Sequence, residues 1–303
     1  MTKPKYKKSN KKSNKNSTKN STKKHNTNTN SNTNSNNFTK LSCHPKHKTK
    51  EYTCYDDNTI IMFKKLWNEK HKDDPINNDN LHEIWKQLKD KMKSCKDEFC
   101  WGEELVTRKP HFFAPKSPAE WKKNKNAWVS NFDIEKVLKQ YKEAYPNFDY
   151  LEPTPIDFDK KIKGTCVTED ICKLDISKKI KKGINKIGIS INLDNHKKDG
   201  SHWVTLFIDL EKKFIFYFDS CGDKVPTEIK VLMDRVEEQC KKLGIIMEQH
   251  DTLNVHHQRG LSECGMYSLF CIIELLKGRS LDYFKKHRIK DDDVAQFRKI
   301  YFN

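Results

Sequence analysis

A chain of 303 residues is long enough for one or two domains with a self-sustaining core. Only 35% of it is hydrophobic and its mean hydropathy is −0.94, so a sizeable part is expected to stay solvated. No run approaches the roughly 18 apolar residues of a membrane span, and the Lys- and Asn-rich N-terminus has no apolar leader, which argues against secretion and for an intracellular protein. The net charge of +17 suggests a nucleic-acid binder until it is located. Residues 1–50 hold fourteen lysines and no carboxylate, which leaves 45 basic against 42 acidic residues beyond them, a net of +3.

Residues 1–45 are Lys, Asn, Ser and Thr in low-complexity order. Such a segment has too little apolar surface to offset its ordering entropy and is expected to be a disordered basic tail. A solvated tail is the plainer reading, and non-specific nucleic-acid binding through it the alternative. Residues 46–125 read as a small helical N-terminal lobe. Ile60, Phe63 and Trp67 share one helical face, and Leu81, Ile84, Trp85, Leu88 and Met92 form a second.

A third unit, 126–303, opens with a helix capped by Ser130 or Asn131, its apolar positions Ile134, Val137, Leu138 and Tyr141 at helical spacing. Ile187, Ile189, Ile191 and Leu193 alternate with small or polar residues, the pattern of a half-buried strand, and Val204 to Leu210 alternates again. Phe214–Phe218 is a continuous apolar run typical of a central strand. An amphipathic helix around Leu232–Leu243 and a buried one over Met266–Leu276 complete an α+β domain. Ten cysteines are present without a Cys-x-x-Cys pair. Cys43-His44 and Cys95–Cys100 lack a second half-site, so no metal or other cofactor is expected and reduced thiols are the default reading.

Three segments point to one site. Gly200-Ser201-His202-Trp203 places a histidine at the opening of a strand, and Tyr217-Phe218-Asp219-Ser220 places an acid at the end of the next. Antiparallel pairing across the short turn near Glu211-Lys212-Lys213 brings those two ends together. Gln258-Arg259-Gly260-Leu261-Ser262-Glu263-Cys264-Gly265 is a polar loop running into the buried helix, so Cys264 starts that helix, where the dipole favours a thiolate. These types suit cysteine peptidase chemistry, with Cys264 as nucleophile, His202 as base, Asp219 as its orienting acid and Gln258 as an oxyanion donor.

The order His-Trp, Asp, Gln-x5-Cys-Gly resembles the adenovirus-type and SUMO-specific cysteine protease superfamily, including its polyprotein-processing branch in African swine fever virus and other large DNA viruses. Asp97-Glu98-Phe99-Cys100-Trp101 and Trp128-Val129-Ser130-Asn131-Phe132-Asp133 also match segments of that branch, whose swine fever member has Asn where this chain has Asp219. The resemblance implies a papain-like, SUMO-protease-like catalytic domain cleaving after Gly-Gly or a similar small pair. It implies that Trp128 and Trp203 line a narrow tunnel for that pair, since two indoles exclude larger side chains. It further implies a thiol protease acting on protein substrates, which processes structural precursors during virion maturation and resides in the virion and host cytoplasm. Removal of SUMO- or ubiquitin-like proteins from conjugates is the alternative activity, and an inactive basic nucleic-acid-binding protein the alternative from another class.

Overall fold

The computed structural model describes residues 38–47, 49–106 and 111–303. The basic tail up to residue 37 lies outside them, and with it the expected nucleic-acid contacts. The lobe comprises α1 (Asp57–Lys70), α2 (Leu81–Lys91) and α3 (Glu98–Leu105). Their apolar faces meet as the periodicity requires, with Ile60, Phe63, Ile84, Leu88, Tyr55 and Trp101 buried in a core of their own. Residues 38–45, expected in the tail, belong to this lobe instead. Phe38 packs its ring 5.5 Å from Trp101 and 6.0 Å from Trp85, and Thr39 N–H donates to the Lys96 carbonyl. One aromatic and one leucine in a polar stretch are enough when a preformed aromatic cleft receives them.

The remainder is built on a five-stranded sheet in the order β1-β4-β5-β6-β7, with β1 at Phe148–Pro155, β4 at Lys186–Asn192, β5 at Trp203–Asp209, β6 at Phe214–Phe218 and β7 at Glu248–His250. A small hairpin, β2 (Lys161–Ile162) with β3 (Thr165–Cys166), stands apart. The central β4-β5-β6 meander is antiparallel and each edge strand is parallel to its neighbour. Around it lie α4 (Asn131–Ala144), α5 (Glu169–Cys172), α6 (Ile176–Lys181), α7 (Thr227–Lys242), α8 (Cys264–Leu276) and the short α9 (Leu281–Lys286), α10 (Asp291–Ala295) and α11 (Arg298–Tyr301). Ser130 is the cap of α4, in a capping box with Asp133.

Helices cover both faces of the sheet. Ile187, Ile189, Ile191, Val204, Leu206 and Ile208 turn to α7, while Phe207, Phe214, Phe216 and Phe218 turn to α8 and α4. The half-buried reading of β4 therefore fails, because all seven of its residues are buried. Its alternation is of size, not of exposure. On the α8 side a Cβ at Gly188 would come within 2.9 Å of the Ile272 side chain, and the Ser268 hydroxyl bonds both Ser190 (2.9 Å) and Thr205 (2.8 Å). A helix this close to a sheet tolerates only small residues beneath it.

The expectation of reduced thiols is also corrected. Cys43–Cys54, Cys95–Cys100 and Cys166–Cys172 are disulfides, while Cys221, Cys240, Cys264 and Cys271 are free. Each pair is close in sequence and its Cα atoms lie 5.2–6.4 Å apart, within bridging range. The expectation rested on compartment, whereas local chain geometry brings these residues together.

Candidate active site

The sheet register places the first two groups. Thr205 pairs with Phe218, so His202, just ahead of β5, and Asp219, just past β6, emerge side by side. His202 Nε2 lies 2.7 Å from Asp219 Oδ1. The carboxylate is wholly buried, and it also accepts from the backbone N–H of Cys221 (2.9 Å) and, more loosely, of Asp223 (3.3 Å). Thr252 clamps it from behind: its hydroxyl accepts from Asp219 N–H at 2.9 Å and donates to Asp219 C=O at 3.0 Å.

Cys264 is the first residue of α8, a helix buried along its whole length. First-turn N–H groups have no intrahelical acceptor, so Cys264 and Gly265 present free donors at this end. Gly265 is required by close approach, since a Cβ there would sit 2.2 Å from Val129 Cγ2 and 3.3 Å from Trp203 Cδ1. The loop ahead of the helix is held by Asp291, whose carboxylate accepts from the N–H groups of Arg259 and Gly260 and from the Tyr267 hydroxyl, each at 3.0 Å. Within that loop the buried Gln258 accepts from Ser220 Oγ and donates to Gly260 C=O, both at 2.8 Å. An amide nitrogen carries two hydrogens, so one of Gln258 remains available.

Burial of the His202 imidazole opposes its charge. The hydrogen bond to Asp219, with the Cys221 and Cys264 sulfurs close by, overcomes this and pushes its pKa up to about 12. The imidazole thus stays protonated at neutral pH, able to pair with a thiolate on one side and the carboxylate on the other.

Of the residues singled out from sequence, His202 and Asp219 are bonded, Cys264 lies within reach of the same imidazole, and Gln258 sits in the adjoining loop. Trp128 and Trp203 both line a cavity of about 800 Å³, Trp203 buried and Trp128 nearly half exposed. Four residues escaped that reading. Cys221 and Thr252 frame Asp219, Asp291 fixes the Gln258 loop, and Arg298 makes a buried two-pronged pair (2.8 and 3.0 Å) with Glu263, the residue before the thiol. Only the Asp219-Ser220-Cys221 adjacency could have flagged one of them; the others are contacts between distant segments. His202, Asp219 and Cys221 also present ligand-type atoms within 4.8 Å of one another, but the His202–Asp219 bond already occupies two of these.

The model of the Ulp1 protease family, C-terminal catalytic domain, matches residues 133–303. The chain is 27% identical over 285 residues to a protein of Acanthamoeba polyphaga mimivirus named as a thiol protease, covering 86% of this chain and 92% of that one. It is 30% identical over 190 residues to a cysteine protease of African swine fever virus, covering 58% and 68%. The crystal structure of an African swine fever virus protease superposes with a TM-score of 0.61 at 23% identity, over 86% of this chain and 95% of that one, which shows a shared fold. With the matched catalytic domain spanning more than half of the sequence, from α4 through the end of the chain, this is a cysteine protease and belongs to the Ulp1 protease family.

Proposed function

We propose that the enzyme is an endopeptidase that cleaves after Gly-Gly or a similar small pair, and that it processes viral structural precursors during virion maturation. The observation that carries the assignment of roles is the 2.7 Å His202–Asp219 bond on an imidazole that also reaches the Cys264 thiol. In this reading the Cys264 thiolate attacks the scissile carbonyl, and imidazolium His202 protonates the departing amine. Neutral His202 then takes a proton from water, whose hydroxide attacks the thioester, releases the acid product and restores the thiolate–imidazolium pair. Asp219 keeps the ring oriented and stabilises its charge. The free Gln258 Nε2–H and the Cys264 backbone N–H are the donors for the oxyanion. Trp128 and Trp203, bordering one cavity, restrict the approach to residues without bulk.

The virion role, and residence in the virion and host cytoplasm, rest on likeness to proteases of large DNA viruses. A second reading is supported by the name of another relative from African swine fever virus, "SUMO-1 cysteine protease". It has the same residues release a ubiquitin-like protein from its conjugates.

The test compares Gly-Gly-X peptides with fluorogenic ubiquitin-like substrates, using the parent enzyme and Cys264→Ala. Peptide cleavage after the pair, abolished in a well-folded Cys264→Ala protein, is expected. Turnover surviving in Cys264→Ala would remove the nucleophile assignment, and exclusive cleavage of the folded substrates would favour deconjugation.

A further inference from the structure

The cavity bordered by Trp128 and Trp203 does not end at the indoles. Three separate elements supply its outer wall: the bulged part of β1 with Glu152, the stretch after β3 with Glu169 and Asp170, and the β4–β5 connection with Asp194 and Asp199. Lys198 is the one lysine or arginine among the lining residues, and it is engaged by Asp194 at 3.1 Å. Lys173 similarly engages Glu169 at 2.8 Å. Glu152, Asp170 and Asp199 are exposed and make no ion pair among the described residues. This sign runs against the chain as a whole, since residues 51–303 carry a net of +3.

A second feature of the cavity suits a peptide. Asn192, at the end of β4, is 9% exposed and lines it. Its Oδ1 is used locally, accepting from Asp194 N–H and Ser201 N–H. Its Nδ2 makes no hydrogen bond among the described residues and is accessible from the cavity, a donor suited to a backbone carbonyl.

We propose that this cavity recognises the substrate segment immediately preceding the small pair, and that it selects lysine or arginine there. The inference rests on the cleavage-site reading above, in which the small pair lies between the indoles and Cys264. The residues before that pair then enter the cavity, with Asn192 holding their backbone and Glu152, Asp170 and Asp199 facing their side chains. Carboxylates in a partly enclosed cleft attract a cation more strongly than the same charges on an open surface, and salt weakens them.

The test uses full-length protein and peptides alike except for Lys, Gln or Glu at the third and fourth residues before the cleaved bond. Lys peptides are expected to have kcat/KM about tenfold above Glu peptides at low salt, narrowing to about twofold near 0.5 M salt. The double variant Asp170→Lys with Asp199→Lys is expected to invert that order. Binding of the same peptides to Cys264→Ala protein, followed by fluorescence anisotropy, reads the preference without cleavage. Equal affinities for Lys and Glu peptides, or a preference untouched by charge reversal, would overturn the inference. A charge preference in binding without cleavage after the pair would leave it standing and remove the cleavage-site reading instead.

Discussion

In the catalytic half, His202 and Asp219 are neighbours because β5 and β6 pair in register, and the bond between them uses contacts the sheet makes in any case. Among the described residues the N-terminal lobe has isolated bridges but no sheet. Its short helices surround a core rich in aromatic side chains, and Cys43–Cys54 and Cys95–Cys100 tie its connecting segments. Register fixes a whole row of groups at once, whereas a staple fixes two points. The catalytic half is therefore vulnerable to the loss of a group that register has aimed, and the lobe to the loss of a tie.

The largest effect should come from Asp219. Asp219→Ala removes the acceptor from His202 and from the Cys221 N–H, and kcat is expected to fall by about 10³-fold, by analogy with the orienting acids of other triads. Asp219→Asn keeps an acceptor in place and should retain much more activity. Equal losses in the two variants would make charge, not orientation, the essential property. Stability carries a second signature. The folded pKa of His202, about 12, lies above its unfolded value near 6.5, so the contribution of the pair is complete below about pH 6.5 and lost as pH rises toward 12. Melting temperatures should thus fall from pH 7 to 10 more steeply for the parent than for Asp219→Asn. Parallel curves would sever that linkage.

Next comes Arg298, which joins the two ends of the catalytic half by side chains and not by register. It pairs with Glu263 with both partners more than nine-tenths buried, donates to Ala127 C=O at 2.9 Å, and lies 4.4 Å from the Trp121 ring. Arg298→Ala leaves a buried carboxylate uncompensated next to the thiol, and a loss of about 3–5 kcal/mol is expected in denaturant unfolding. Arg298→Met with Glu263→Leu should recover part of it. If the single variant melted like the parent, the pair would have no structural weight.

How much of this was legible in the sequence follows the same division. Periodicity located β4, β5 and β6 to within a residue, and with them the ends that carry His202 and Asp219, because alternation and turn signals are local. β1 went unread, since Glu152, Pro153 and Pro155 make Phe148–Pro155 a poor strand by propensity. It exists because β4 offers it an edge. Thr252, Asp291 and Arg298 act across separations of 24 to 171 residues, for which a single sequence has no signal. The border of the lobe is hidden for another reason: Phe38 and Leu41 look isolated in a polar tract yet pack against its core.

That border gives an intermediate effect. A chain beginning at residue 46 loses Phe38, Leu41 and the partner of Cys54. By loop-closure entropy alone the bridge, 11 residues apart in sequence, accounts for about 3 kcal/mol. Loss of stability with cleavage of a short peptide retained is expected, since the Cys264–His202–Asp219 geometry is set by the sheet and α8. Failure of both together would show that the catalytic half depends on the tied lobe.

The smallest effect belongs to a chain beginning at residue 38, and it is the sharpest check on the division. Among the described residues, Phe38 meets its aromatic partners and Thr39 makes its bridge to Asp97. Eleven of the fourteen lysines before Glu51 fall at or before Lys40, and ten of them before Phe38. Removing residues 1–37 subtracts ten lysines and no large hydrophobic residue beyond Met1 and Tyr6, so it is expected to remove charge and not core. Melting temperature and kcat/KM on a short peptide are expected to match the full chain within error. We propose that non-specific DNA binding, by contrast, largely disappears, because lysine–phosphate contacts act through counterion release and the remaining charge is spread over the folded part. Titrations of both proteins at two salt concentrations separate the outcomes. Equal DNA affinity would place a basic surface on the folded part, and lost peptide cleavage would make the tail a working part of the enzyme.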